Sequence, residues 1–185
     1  MDYLKKFVLK NGMELTVRSP VPEDAKNIIN FVLTVDRQTR FLSREPVEFA
    51  LESSVNQQKE YIIKRQLEDR SFWVIGEIDG RVVAYCDTGC IKNRLRYHHR
   101  ADISCAVLRD FWRMGIGRIL LNESIGWCRA NGFEQLEVTA VTDNEGAIAM
   151  YKNAGFEINA TNKNALKYTD GTYADEYVMR LDLLK

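Results

Sequence analysis

The strongest constraint on this fold lies in residues 101 to 130, where a strand pattern leads through a loop with two glycines into a helix pattern. The run ADISCAVL predicts the strand, and DFWRMGIGRILL supplies the loop and the start of the helix. The first four N–H groups of a helix have no partner within it and lie at the positive end of its dipole, so they attract anions. Gly115 and Gly117 carry no Cβ atoms to keep a phosphate from the backbone, and Arg118 adds charge. We therefore predict a phosphate-binding loop.

A second interpretation of the two glycines is that they permit close packing between the strand and the helix. The loop lacks the G-x-x-x-x-G-K-[ST] pattern of a Walker site. It also lacks the third glycine and the ribose-binding acid of a dinucleotide fold. A ligand with phosphates other than a simple nucleotide is therefore expected.

Composition narrows the class of protein. The 185 residues contain three prolines and no low-complexity tract, which predicts a single domain over residues 1–185. Twenty-six basic residues balance 26 acidic ones, so no overall charge draws the chain to nucleic acid or to an anionic membrane. No apolar run approaches the roughly 18 residues of a membrane span, and the four cysteines lack paired-loop spacing. We expect a soluble, cytoplasmic protein without disulfides.

Periodicity predicts the order strand, two helices, three strands, helix, strand, helix, two strands. The second helix is expected from about Pro46 to Asp69. The helix that follows the fourth strand is expected to end at about Arg129, because Asn131-Gly132 stops it. Turns are expected at Asp79-Gly80 and Asp170-Gly171. This order predicts an α/β fold with one mixed, mostly antiparallel sheet of about seven strands, flanked by helices on both faces.

These segments together resemble the GNAT family of N-acetyltransferases over nearly the whole chain. WRMGIG stands where the family's phosphate loop has Q/R-x-x-G-x-G/A, with Trp112 in place of Gln or Arg. LTVRSPVPEDAKNI is similar to the family's opening strand and helix, and HHRADISCAVLRDFW to its fourth strand. NEGAIAMYKNAGFE is similar to its N-x-x-A-x-x-x-Y helix, and DGTYADEYVMRLDL to its closing strand.

The resemblance implies acetyl-CoA as co-substrate and no metal. It places the pyrophosphate on the loop residues Trp112, Arg113, Met114, Gly115, Ile116, Gly117 and Arg118. It also implies that the strand end from Ala106 to Leu108 separates from its neighbour, which leaves the N–H groups of Val107 and Leu108 free for the pantetheine arm and the thioester oxygen. Helical spacing puts Asn144, Ala147, Ile148 and Tyr151 on one face, which the resemblance directs at the cofactor.

Two residues are candidates for proton transfer. Tyr151 suits the general acid that protonates a departing thiolate, although a core tyrosine bonded to a carbonyl has the same spacing. Asp102 lies in the fourth strand, where the family often carries an acid, and is the candidate base. An exposed aspartate paired with an arginine is the alternative, and Asp36 and Glu45 are rival bases. The segment DRQTRFLSRE is expected to shape the acceptor pocket.

The function expected from the resemblance is acetyl transfer from acetyl-CoA to a primary amine by direct attack in a ternary complex. The acceptor stays open between a protein N-terminus, a polyamine, an aminoglycoside and another small amine, and pairing of two subunits is common in the family. The basic loop KNRLRYHHR keeps a second interpretation open, that of a catalytically silent acyl-CoA-sensing or ribosome- or RNA-binding module. A zinc site around His98 and His99 is disfavoured, because adjacent strand residues point apart and no C-x-x-C is present.

Overall fold

The computed structural model describes residues 3–52 and 54–185, with the backbone alone for residues 50–52. Within these residues, eight strands form one sheet in the order β1-β2-β3-β4-β5-β6-β8-β7. The strands are β1 (Leu4–Val8), β2 (Glu14–Arg18), β3 (Ser71–Ile78), β4 (Arg81–Cys90), β5 (Arg100–Val107), β6 (Gln135–Val141), β7 (Glu157–Lys167) and β8 (Tyr173–Asp182). The helices are α1 (Ala25–Gln38), α2 (Pro46–Glu52), α3 (Val55–Gln66), α4 (Ile116–Ala130) and α5 (Glu145–Asn153).

Helices cover both faces of the sheet, as neighbouring residues of β4 show. The ring of Tyr85 packs edge-on against Phe31 of α1, with 5.8 Å between centroids. The next side chain, Cys86, points the other way, and its Sγ lies 3.2 Å from Oγ of Ser124 on α4. Successive strand side chains alternate between faces, so α1 and α4 lie on opposite sides. The predicted α/β class with a mostly antiparallel sheet is confirmed, because β5 and β6 form its parallel pair among the described strands.

The sequence prediction missed β1 and joined two helices. The strand β1 is an edge strand with mostly exposed side chains, so it lacks the buried alternation by which strands are predicted. The predicted helix from Pro46 to Asp69 is interrupted, because Ser54 accepts a hydrogen bond from the Gln57 backbone N–H and caps a new helix. Position 53 of that prediction lies outside the described residues.

The parallel pairing of β5 with β6 ends early, and this positions the site. It comprises three residue pairs, the last of which joins Asp102 to Glu137. Beyond Asp102, β5 continues to Val107 beside β4, whereas β6 continues beside β8. The two strands therefore separate along residues 103–107 of β5, and we call the opening between them the β5–β6 gap.

Candidate active site

The loop between β5 and α4 ends in an uncapped helix N-terminus. Gly115 is the N-cap residue, with φ of +90°, a backbone conformation that favours glycine, and no side chain caps α4. A Cβ atom added to Gly115 would meet nothing within 4 Å, so the space beside it is open. The first-turn N–H groups of α4 thus have no side-chain cap, and no side chain crowds Gly115, both of which an anion site requires.

Gly117 differs from Gly115, because the neighbouring elements approach it closely. A Cβ atom at this position would lie 3.0 Å from Sδ of Met150 on α5 and 3.9 Å from Cγ2 of Val107 on β5. Glycine here lets α4 pack against both elements. The packing interpretation therefore describes Gly117, and the open-backbone interpretation describes Gly115.

The other loop residues divide by exposure. Arg113 and Arg118 are exposed, with Arg113 at φ of +65°, whereas Ile116 is buried in the core. Met114 is half-buried and receives a weak contact from the Asn11 amide. Ile116 can therefore offer a ligand its backbone only, while both arginines can offer charge.

Trp112 ties the loop to the strand before it. Its indole Nε1–H donates a hydrogen bond to the Val107 carbonyl oxygen, at 2.7 Å, while its side chain remains partly exposed. A glutamine or an arginine could not fill this position with a large flat ring. Trp112 thus gives the loop a contact that the family pattern does not predict.

The N–H groups of Val107 and Leu108 have different surroundings. The Leu108 N–H donates to the Val83 carbonyl oxygen at 2.9 Å, so the expectation that it is free is wrong. Leu108 extends the antiparallel ladder between β4 and β5, in which successive residues bond to alternate sides. By the same alternation, the Val107 N–H is directed away from β4, toward the β5–β6 gap.

Tyr151 on α5 is buried and lies against Phe156, with ring centroids 5.4 Å apart. Burial raises the pKa of its phenol, and the nearby thiols of Cys105 and Cys86 raise it further. Across residues 3–52 and 54–185 its hydroxyl makes no hydrogen bond, so the picture of a core tyrosine tied to a carbonyl does not describe it. The phenol is a protonated donor without an internal acceptor.

The other residues on this face of α5 cap the helix or pack in the core. Asn144 is the N-cap residue of α5, and its Oδ1 accepts from the Ala147 backbone N–H at 3.3 Å. Ile148 is buried, while Asn144 and Ala147 are half-buried. The cap leaves the Asn144 amide nitrogen as the group with which this side chain can bind a ligand.

Asp102 is the last β5 residue that pairs with β6, so it stands where the gap begins. Its side chain is exposed, yet the surrounding protein raises its pKa by desolvation, and Glu137 adds to the effect. The expected alternative, a cross-strand pair with an arginine, belongs to Glu137, whose Oε1 lies 2.6 Å from Nη2 of Arg100.

The rival bases are engaged elsewhere. The Asp36 side chain is fully buried and accepts two hydrogen bonds from Arg44, at 2.9 and 3.0 Å. Glu45 accepts a hydrogen bond from the Thr169 backbone N–H, at 3.0 Å. Both carboxylates accept hydrogen bonds from other parts of the protein, so Asp102 is the candidate base with the fewest such contacts.

Sequence reasoning missed a cluster of polar side chains that lies beside Asp102 on the same face of the sheet. The Tyr85 hydroxyl lies 2.8 Å from Oγ of Ser104, and Asp87 is the cross-strand neighbour of Ser104 and pairs with Arg65. Burial raises the pKa of Asp87, and Arg65 opposes that effect. The alternation of polar residues in AYCDTG was the signal that could have revealed them.

A cavity of about 550 Å³ adjoins the loop, and residues 36–46 form much of its wall. Arg109 and Trp112 line it from the β5 side, and residues 166–168 of the β7–β8 hairpin line another side. The Tyr168 hydroxyl donates to the Arg40 carbonyl oxygen at 3.0 Å, and the Arg40 guanidinium lies 3.8 Å from the centre of the Tyr168 ring. We call this space the α1–α2 cavity; the segment DRQTRFLSRE lines it.

Residues 38–156 match the model of the acetyltransferase (GNAT) family. The chain belongs to the GNAT family. The L-amino acid N-acetyltransferase AaaT of Escherichia coli (strain K12) is 36% identical over 107 residues, a match that covers 55% of this chain and 62% of that protein. The matched stretch thus spans less than two thirds of this GNAT relative.

Solved GNAT structures have the same fold. The GNAT acetyltransferase from Streptococcus pneumoniae has a TM-score of 0.82 at 24% identity, covering 91% of this chain and 98% of its own. A GNAT superfamily phosphinothricin acetyltransferase from Sinorhizobium meliloti, in complex with AcCoA, has a TM-score of 0.78 at 21% identity, covering 91% and 88%. These likenesses show the fold.

The described part of this GNAT chain contains no group of three His, Cys, Asp or Glu side chains placed to hold a metal ion. No helix in the same part is long and apolar enough to span a bilayer. The features that fit a phosphate-bearing thioester are the open α4 N-terminus at Gly115, the exposed Arg113 and Arg118, and the adjoining gap.

Proposed function

We propose that this chain transfers an acetyl group from acetyl-CoA to a primary amine, on a small molecule or a protein N-terminus. The observation that carries the proposal is the uncapped N-terminus of α4, with Gly115 at φ of +90°, beside strands that separate after Asp102. Family membership supports it, as does the AcCoA complex of the Sinorhizobium meliloti relative. The N-acetyltransferase name of AaaT points to the same reaction.

The binding roles follow from the backbone. The N–H groups around Gly115 to Arg118 are suited to the pyrophosphate, with charge from Arg113 and Arg118. The β5–β6 gap is suited to the pantetheine arm, since the Val107 N–H is directed into it. A donor held there also stabilises negative charge that develops on the thioester oxygen.

The chemical roles fall to two side chains. The acceptor amine must lose a proton as its nitrogen bonds to the acetyl carbon, and Asp102 takes that proton through water, because it stands at the start of the gap, five residues along β5 from Val107. The C–S bond breaks in the same addition and elimination, and Tyr151 gives its proton to the departing sulfur. The phenol is protonated at neutral pH, as a general acid must be, and the burial that raises its pKa also makes it a weaker acid than a free tyrosine.

Further proposals concern the whole chain. Residues 1–185 form one catalytic domain, and the protein is cytoplasmic, because Cys86, Cys90, Cys105 and Cys128 are all free, as is typical of a reducing compartment. Pairing into a homodimer stays a prediction, which sedimentation at several protein concentrations tests.

The test incubates the purified chain with acetyl-CoA and a panel of primary amines, and measures thiol release and product mass. Release that depends on an amine, with matching acetylated product, supports the proposal. Coenzyme A binding with no acetylated product from any amine contradicts catalysis and favours an acyl-CoA-sensing role.

The proposed base is tested by Asp102→Asn, which should lower kcat/KM and remove an acidic limb of its pH profile. The limb should lie above the ordinary pKa of a carboxyl, because the pKa of Asp102 is raised. The matched control is Asp110→Asn, a carboxylate on the exposed turn after β5. Identical profiles for wild type and Asp102→Asn would remove Asp102 from the role.

A further inference from the structure

The charged residues that line the α1–α2 cavity have a positive excess, since the five cations Arg37, Arg40, Arg44, Arg109 and Lys167 face three carboxylates. Each of its three carboxylates already serves the protein: Asp36 binds Arg44, Glu45 accepts from the Thr169 N–H, and Glu48 accepts from the Glu45 N–H at 2.9 Å. A hydrogen bond from a backbone N–H does not cancel the charge of Glu45 or Glu48, so both carboxylates offset part of the positive charge in the wall.

Several of the lining cations lack an ion-pair partner in the part of the chain that the structure describes. Among the described residues, the lining cations Arg37, Arg109 and Lys167 have no carboxylate within ion-pair distance. Arg109 donates to the Gln38 carbonyl oxygen, and Lys167 lies 5.6 Å from the centre of the Tyr173 ring, so neither contact is to a carboxylate. These cations come from α1, from the turn after β5 and from β7, so they approach the cavity from three elements.

We propose that the α1–α2 cavity binds the acceptor through an anionic group, so that the substrate class is amines that also carry a carboxylate, such as free amino acids. This inference rests on the proposed acetyl transfer and specifies its acceptor. Arg109 and Trp112 line the cavity, and Trp112 donates a hydrogen bond to the carbonyl oxygen of Val107 at the end of β5, so an acceptor held there lies next to the gap.

The charge pattern also discriminates between acceptors. A polyamine or an aminoglycoside would bring further positive charge to a wall in which cations already outnumber carboxylates, which is unfavourable. A peptide N-terminus lacks a carboxylate on the carbon beside its amine, so it gains nothing from these side chains. The contacts between the hairpin and residues 40–45 also border the cavity, which suits a small molecule.

The first arm of the test compares acceptors of matched shape. An L-amino acid, its carboxamide, the amine that lacks the carboxyl group and a dipeptide with the same first residue are assayed with acetyl-CoA. We expect kcat/KM to be about tenfold or more higher for the amino acid, the size of a charge-assisted hydrogen bond. Equal kcat/KM for the carboxamide would overturn the inference.

The second arm of the test replaces the cations that line the α1–α2 cavity. Lys167→Met, Arg37→Met and Arg109→Met should each raise KM for the amino acid, leave kcat nearly unchanged and leave the carboxamide unaffected. Lys163→Met is the matched control, a β7 lysine outside the cavity that pairs with Asp175 at 2.6 Å. If the wall variants instead weaken coenzyme A binding and leave the preference for carboxylates intact, the cations serve the coenzyme phosphates and the inference is wrong.

A binding measurement separates this inference from the proposed function. Calorimetry with coenzyme A present measures amino acid affinity without any reaction. Binding that Lys167→Met weakens supports the cavity assignment even if no product forms, a result that would contradict acetyl transfer alone. Product formation without preference for carboxylates would contradict the cavity assignment alone.

Discussion

The proposed phosphate loop and the proposed acceptor site in the α1–α2 cavity present different groups to a ligand. Residues 112–118 offer backbone N–H groups at one helix end, within a single contiguous stretch. The cavity offers side chains from α1, the segment after it, the β5 turn and the β7–β8 hairpin, which are distant in sequence. In the proposed function, recognition of the coenzyme and choice of the acceptor therefore depend on separate groups, so mutations should affect the two separately.

The largest effect should come from Tyr151, the proposed general acid, which belongs to neither of the two regions. Tyr151→Phe should lower kcat about 100-fold, the range for loss of a general acid, while affinities for coenzyme and acceptor change little. The phenol has no internal hydrogen bond to lose, so the unfolding temperature should hold. Steady-state kinetics and calorimetry check this, with Tyr97→Phe as a distant control. Unchanged kcat would remove Tyr151 from the acid role.

Arg44→Met should damage the cavity and spare the loop. It leaves the Asp36 carboxylate, whose side chain is fully buried, without its ion-pair partner. We expect the free energy of unfolding to fall by about 2 kcal/mol, less than for a fully buried pair because Arg44 is partly exposed. Urea unfolding measures the change, with Lys6→Met at the exposed Lys6–Glu14 pair as control. Equal stabilities of the two variants would contradict the argument.

Gly117→Glu should damage the loop and spare the cavity. The new side chain displaces Met150 and brings negative charge to the helix end that attracts phosphate. Coenzyme A should bind about tenfold more weakly by calorimetry. Gly126→Glu on the same helix, where an added Cβ meets nothing within 4 Å, should bind normally. Normal binding by both variants would contradict the phosphate assignment.

Trp112→Phe tests whether the regions are as separate as proposed, because Trp112 belongs to both. Loss of its hydrogen bond to the Val107 carbonyl should weaken coenzyme binding and raise acceptor KM, each about threefold. Trp73→Phe, on β3 and outside the α1–α2 cavity, serves as control. A change in coenzyme affinity alone would show that Trp112 acts on one side only.

Sequence reasoning worked best where one local rule decides the structure. The Asp79-Gly80 turn between β3 and β4 is confirmed, with positive φ at both residues, as is the end of α4 before Asn131-Gly132. The last two strands, β7 and β8, are also confirmed.

Features that need distant partners escaped prediction. The bond from the Leu108 N–H to Val83 depends on the register of β5 against β4, which no local pattern fixes. The contact of Gly117 with Met150 depends on how α5 packs against α4. The charge balance of the α1–α2 cavity also depends on where the β7–β8 hairpin places its side chains. The sequence therefore predicted the main segment that lines the cavity, but not the charge of the whole lining.

The three-pair length of the β5–β6 ladder has an evolutionary consequence. An opening made by main-chain divergence survives most exchanges of side chains, so lineages can drift far in sequence while the β5–β6 gap persists. The structures from Streptococcus pneumoniae and Sinorhizobium meliloti keep the fold at 24% and 21% identity. If the gap holds the acyl donor as proposed, new acceptors can evolve through changes in one cavity wall while the gap itself stays unchanged.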